Sequence, residues 1–129
     1  MCLALALGVA ATPALAAKPK LSPREARERV ERIELNHQML LLKFPRLSQI
    51  DQEIQGQCGR RVLDQPDTPT YCRCASAVTM AAWRVGDPNM LNRLVEFTEQ
   101  RGDHSPADFL AYQGPELYRP LCDLAFKAR

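Results

Sequence analysis

Cys72 and Cys74 stand two positions apart in the stretch YCRCASAVTM. On a helix that offset turns the two side chains about 200° away from each other. A disulfide needs converging Cβ vectors, so these two cannot bridge each other and each must reach a separate part of the chain. The remaining cysteines are Cys2, Cys58 and Cys122. Whether they serve as staples, metal ligands or redox groups depends on the compartment the chain enters.

The first residues, MCLALALGVAATPALAAKPK, address that point. Residues 2 to 17 carry no charge, Ala14-Leu15-Ala16 is a small-x-small pattern, and Lys18 opens a polar stretch. This reads as a secretory signal peptide over residues 1–17, followed by a single helical domain over 18–129. The apolar run is shorter than the roughly 20 residues a membrane span needs, so no membrane insertion is expected after cleavage. Cys2 would leave with the signal. The composition of the signal is of the bacterial kind, which makes the periplasm the expected destination. Four cysteines then remain in an exported small domain, the setting in which cysteines are read as disulfides.

Four cysteines allow three pairings, and excluding Cys72 with Cys74 leaves two. Cys58 ends one expected helix and Cys72 begins the next, so in an antiparallel pair these ends meet. Cys74 shares a face with Val78, Ala81 and Val85 and points to the core. The preferred pairing is Cys58–Cys72 with Cys74–Cys122; Cys58–Cys74 with Cys72–Cys122 is the alternative. A zinc site would need C-x2-4-C pairs, whereas the one close pair here is C-x-C. A redox pair would need an electropositive, accessible setting, for which Arg73 is the one nearby support. No metal and no cofactor are expected.

The rest of the chain reads as all-α. Ser22-Pro23-Arg24-Glu25 is a capping box with proline in the first turn. Apolar residues follow at helical spacing: Ala26, Val30, Ile33, Leu40, Leu41 and Phe44. The run MLLLKF is apolar nearly all round and is expected to be the most buried part of that helix. A second helix is expected over about Arg46 to Cys58 with Gly59 just past its end, and a loop over 59 to 70. A third should run from Tyr71 to Val85, stopped by Gly86, and a fourth from Asp87-Pro88 to about Gln100. Ser105-Pro106 should start a short fifth helix that Gly114-Pro115 breaks, with a final one beginning at Pro120. No stretch alternates with the period of a strand. The expectation is a compact bundle of five or six short helices stapled by two disulfides.

Charge and motif content narrow the function. Lys plus Arg number 17 against 15 Asp plus Glu. The signs alternate through SPREARERVERIEL and no basic block occurs, which argues against nucleic-acid binding. His37 falls on the apolar side of the first helix and reads as a partly buried core histidine; a histidine there can also make the bundle sensitive to pH between neutral and acidic. Asp103, His104 and Ser105 have the composition of a catalytic set, but neighbours on one turn cannot hold a base between nucleophile and orienter. Paired carboxylates such as Asp51 and Glu53 read as solvated helix charges. No catalytic residues are assigned, and enzyme activity is not expected.

What remains is a surface for binding. Tyr112, Glu116, Tyr118 and Arg119 cluster in YQGPELYRP, read as a segment stiffened by proline and glycine. Tyrosine and arginine are common interface anchors, and rigid segments present them with little ordering cost. The tyrosines could instead pack on the final helix. The loop carrying Arg60, Arg61, Asp64 and Asp67, held by flanking cysteines, is the second candidate. Trp83 is expected in the core or as an anchor on the third helix.

A signal segment at 1–17, the cysteine-bearing YCRCASAVTMAAW helix and an all-helical pattern together resemble the periplasmic immunity proteins of bacterial type VI and type IV secretion toxins, in particular their helical amidase-immunity group. The resemblance implies a protein, monomeric or homodimeric, that binds a secreted effector toxin and occludes its active cleft, with YQGPELYRP or the 59–70 loop as the inserting element. A reading of another class is a periplasmic helical chaperone or acid-stress protein with His37 and MLLLKF as working parts. A third is an accessory subunit with an obligate partner.

Overall fold

The computed structural model describes residues 21–61, 67–102 and 105–126, and these hold five helices and no strand. They are α1 (Pro23–Lys43), α2 (Leu47–Arg61), α3 (Thr68–Ala82), α4 (Pro88–Arg101) and α5 (Pro106–Phe126). The expected signal segment lies outside the described residues. Both disulfides take the preferred pairing: Cys58–Cys72 with Cα atoms 5.6 Å apart and Cys74–Cys122 at 6.0 Å.

The helix starts follow local chemistry. Ser22 Oγ accepts from the Glu25 N–H and Glu25 Oε1 accepts from the Ser22 N–H, each at 3.1 Å, closing the expected capping box. Asp67 caps α3 by accepting from the Thr70 N–H at 3.2 Å. Because Asp67 supplies the cap and Pro69 fits the first turn, α3 starts three residues earlier than expected. Asp87 caps α4 and Gly102, at φ 76°, ends it. Ser105 Oγ accepts from the Asp108 N–H at 3.1 Å at the head of α5.

α3 also ends differently from the expectation. Its last turn closes through Val85 N–H to Met80 C=O and Arg84 N–H to Ala81 C=O, the paired bonds of a Schellman motif. The left-handed residue in that motif is Arg84, at φ 52°, not a glycine. Gly86 serves another purpose: a Cβ there would lie 2.7 Å from Leu40 Cδ1, so glycine lets the turn approach α1. α2 runs through Gly59 to Arg61 instead of stopping at Cys58, with the adjacent Cys58–Cys72 bridge holding its last turn. Much of the expected 59–70 loop is therefore helix, and residues 62–66 lie outside the described ones.

The largest departure is α5. Neither Gly114-Pro115 nor Pro120 breaks it; all 21 residues form one helix with both prolines inside. Proline at 115 has no N–H to give to the carbonyl four residues back, which is that of Ala111. The Arg61 guanidinium donates to that carbonyl at 3.1 Å and replaces the missing donor. The equivalent carbonyl for Pro120 belongs to Glu116, an exposed residue. Gly114 lets α5 approach α3, since a Cβ there would meet Thr79 Oγ1 at 3.2 Å and Tyr118 Cε2 at 3.3 Å.

α3 and α5 form the centre, and α1 and α2 pack against both. The core has two parts. One is sulfur-rich and gathers the four half-cystines with Ala26, Val30, Tyr71 and Tyr118. The other holds Leu47, Ile54, Met80, Leu94 and Phe109, with Trp83 and Phe97 edge-on to Phe109 at 5.4 and 5.3 Å. Trp83 is half-buried at the end of α3, a core-edge position. α4 belongs to this second part and packs chiefly on α5. Arg27 Nε donates to the Ala125 C=O at 2.9 Å and ties the end of α5 to α1.

The expectation that MLLLKF is the most buried part of α1 is overturned. Its fully buried residues are Ala26 and Val30, in the first half. Met39 is 63% exposed and Leu42 84%, and with Leu35 they form an apolar ridge along the outer face. A surface helix has neighbours on one side only, so an all-apolar turn must leave some apolar side chains in solvent.

Candidate partner-binding surface

The continuous α5 rearranges the expected binding residues. Tyr112, Glu116 and Arg119 are spaced by four and three positions, which places them on one stripe of a helix. All three are exposed, Tyr112 the most at 73%. The Arg61 bond to the Ala111 carbonyl brings the end of α2 beside Tyr112, so two regions that read as separate candidates adjoin. Arg60 is exposed next to it, and Asp67 is exposed at the head of α3. Asp64 lies outside the described residues. The Asp67 carboxylate is held below the usual carboxylate range, first by the Thr70 hydroxyl and then by the Thr70 N–H.

Tyr118 does not belong to this surface. It is 2% exposed, its ring meets Tyr71 edge-on at 5.9 Å, and its hydroxyl has no hydrogen-bond partner among the described residues. Read as part of a turn, it could accompany Arg119 outward. On an unbroken helix it sits four positions from Gly114 and Cys122, all three buried. Burial raises its phenol above the ordinary value. Tyr71 donates its hydroxyl to Asp123, and burial, followed by that bond, raises the Tyr71 phenol strongly.

A polar cluster between α1, α2 and α3 was not legible as one. Asp51, read as a solvated charge, accepts from Ser76 Oγ at 2.6 Å and Gln55 Nε2 at 3.0 Å, and its Oδ1 lies 2.8 Å from His37 Nε2. Ser76 is fully buried, and the side chains of His37 and Asp51 are 9% and 13% exposed. Burial pushes the Asp51 carboxyl up, but the bonds from His37, Ser76 and Gln55 outweigh it and hold the group below its usual value. The reason for the misreading is that Asp51 follows the buried Ile50 and flanks the same interface, which its own helix does not reveal. His37 is the partly buried histidine the sequence indicated.

Serine, aspartate and histidine meet here in an order unsuited to nucleophilic catalysis. His37 Nε2 and Ser76 Oγ both bond the same Asp51 Oδ1, so the carboxylate joins the other two and the imidazole does not hold the serine hydroxyl as a base would. The cluster does a different job: it ties three helices by a satisfied buried network. Of the RGDHSP turn, Asp103 and His104 lie outside the described residues. Among the described residues no three histidine, cysteine, aspartate or glutamate side chains gather in a form that could hold a metal ion.

Comparison with protein-family models, curated proteins and solved structures finds no match for this chain.

The paired cysteines place the chain in an oxidising environment, and among the described residues no helix is long and apolar enough to cross a membrane. What the α5 stripe offers chemically is a ring, a carboxylate and a guanidinium on a stapled helix. Cys122, one turn beyond Tyr118, fixes that helix to α3.

Proposed function

We propose that the protein acts by binding another protein, as a periplasmic immunity-type inhibitor that neutralises a secreted effector toxin by covering its active cleft. The observation that carries this reading is Tyr112, largely exposed beside Glu116 and Arg119 on a helix fastened by a disulfide. A large ring held out on a rigid element binds with little ordering cost, which suits an occluding inhibitor. Export through residues 1–17 and a periplasmic location belong to the same reading.

The test is affinity capture from the envelope of the native organism with the oxidised protein, alongside the Tyr112→Ala/Arg119→Glu variant. One secreted hydrolase retained stoichiometrically by the parent and lost by the variant supports the reading. Equal retention by both moves the site off α5, and absence of any single partner removes the reading.

The chaperone reading draws on a separate observation, the apolar ridge of Leu35, Met39 and Leu42 on a helix held by the His37–Asp51 contact. It requires holdase activity that grows on acidification, together with new dye-binding surface. A general holdase with no single partner would favour it over the inhibitor.

A further inference from the structure

Three adjoining clefts run around the corner where α1 passes to α2 and α3 passes to α4. One of about 230 Å³ lies between α1 and the end of α3, with Ile33, Leu40, Met80 and Arg84 in its walls. The next, about 160 Å³, shares Gly86 with it and is walled by Phe44 and Arg46. The third, again about 230 Å³, shares Arg46, Leu47 and Leu91 with the second and opens between α2 and α4. α4 packs chiefly on α5, which leaves that seam uncovered.

The linings are mostly apolar, and the charged side chains in them are cations. Arg46 and Arg84 contribute, His37 is the other titratable group, and no carboxylate takes part. Residues 35 to 50 contain Lys43 and Arg46 but no aspartate or glutamate. Arg46 is exposed and makes no ion pair with a described residue. The Arg84 side chain is 70% exposed and lies 3.8 Å from Asp87, a carboxylate whose other oxygen caps α4 through the Asn89 N–H. Arg84 holds its place in a left-handed conformation that is unfavourable for a residue other than glycine.

We infer that these clefts are a docking site for a segment of a partner protein in which apolar side chains are interspersed with carboxylates. The apolar groups enter the clefts, and the carboxylates pair with Arg46 and Arg84. The clefts follow one another and are open to solvent, each of a size for about one side chain, which suits a segment that presents side chains in succession better than one compact ligand. A flat lipid surface would leave the concavities empty. A second copy of this chain would bring its own apolar ridge flanked by Lys43 and Arg46, setting like charges together. The inference rests on the protein acting by binding another protein, and it does not require that partner to be a toxin.

The experiment is selection from a display library of random dodecapeptides against the oxidised protein recovered from a bacterial periplasm. Enriched peptides should carry Asp or Glu beside Leu, Ile or Phe. They should bind Arg46→Glu at least about tenfold more weakly. Arg84→Gly, which removes the second cation while relieving the backbone, should also weaken binding, so that loss cannot be ascribed to unfolding. Enrichment without acidic residues, unaltered binding to both variants, or no enrichment at all overturns the inference. So does preference for phosphatidylglycerol vesicles over the peptides, or a stable dimer in sedimentation that excludes them. No toxin enters this assay. The acidic peptides can therefore succeed while envelope capture fails, and the reverse.

Discussion

The pairing of Arg61 with the carbonyl left open by Pro115 makes a quantitative prediction. Replacing Arg61 by alanine removes a charged donor from a part-buried carbonyl. A carbonyl left without a partner costs about 1–3 kcal/mol, and the donor here is charged, so about 1.5–2 kcal/mol is expected. Replacing Pro115 by alanine instead restores the ordinary helical N–H to the same carbonyl. A helix-interior proline costs up to about 3 kcal/mol, and the freed unfolded chain returns about 1, so Pro115→Ala should stabilise by about 1–2 kcal/mol. In that background the Ala111 carbonyl no longer depends on Arg61, and Arg61→Ala should fall to about 0.5 kcal/mol or less, as for an ordinary surface change. The cycle therefore predicts a coupling of about 1 kcal/mol between residues 61 and 115. Urea unfolding of the four oxidised proteins at neutral pH measures it. Additive effects within about 0.3 kcal/mol would show that the guanidinium does not stand in for the missing N–H, and would refute the account of how α5 passes through its proline.

Three other outcomes follow from the same geometry. In the chain-entropy model the bridge spanning 48 residues is worth about 4 kcal/mol and the one spanning 14 about 3; Cys74→Ala/Cys122→Ala should thus lower the guanidinium midpoint more than Cys58→Ala/Cys72→Ala, and the opposite ranking counts against it. The Asp51 carboxyl titrates lower in the fold than an ordinary aspartate, so its contribution is complete above the ordinary range of about pH 4 and is lost as pH falls through the folded value. Glu34, raised by burial, contributes with the opposite sign; unfolding measured from pH 5 to pH 2 should show a shallower acid loss for Asp51→Asn than for the parent, and parallel profiles would sink this assignment. Tyr118→Phe removes a hydroxyl that has no partner among the described residues and should leave the thermal midpoint unchanged or higher, whereas a drop equivalent to more than about 1 kcal/mol would mean the hydroxyl is bonded.

Local order along the chain decided much of this protein. A capping box at α1, the Asp87 cap at α4 and a first-turn proline in each placed their starts, helical spacing set the class, and the two-residue offset of Cys72 and Cys74 left two disulfide pairings, of which the preferred one formed. These features are readable because each is governed by residues within about one turn of one another. His37 was legible for the same reason, since it shares a face with Ile33, Leu40 and Leu41.

Tertiary packing decided the rest. Pro115 reads as a break because the donor that replaces its missing N–H comes from Arg61, 50 residues away from Ala111. Once α5 is unbroken, Tyr118 turns into the core while Tyr112, Glu116 and Arg119 line up outward, so the composition of the candidate surface changed with the element that carries it. Asp51 became an interior group for a related reason: its partners His37 and Ser76 lie on two other helices. Met39 and Leu42 moved the other way, into solvent, because hydrophobicity states a preference for burial but cannot supply the neighbour that provides it. For α5 and for Asp51 the deciding contacts join residues far apart in sequence, and only the folded chain brings them together.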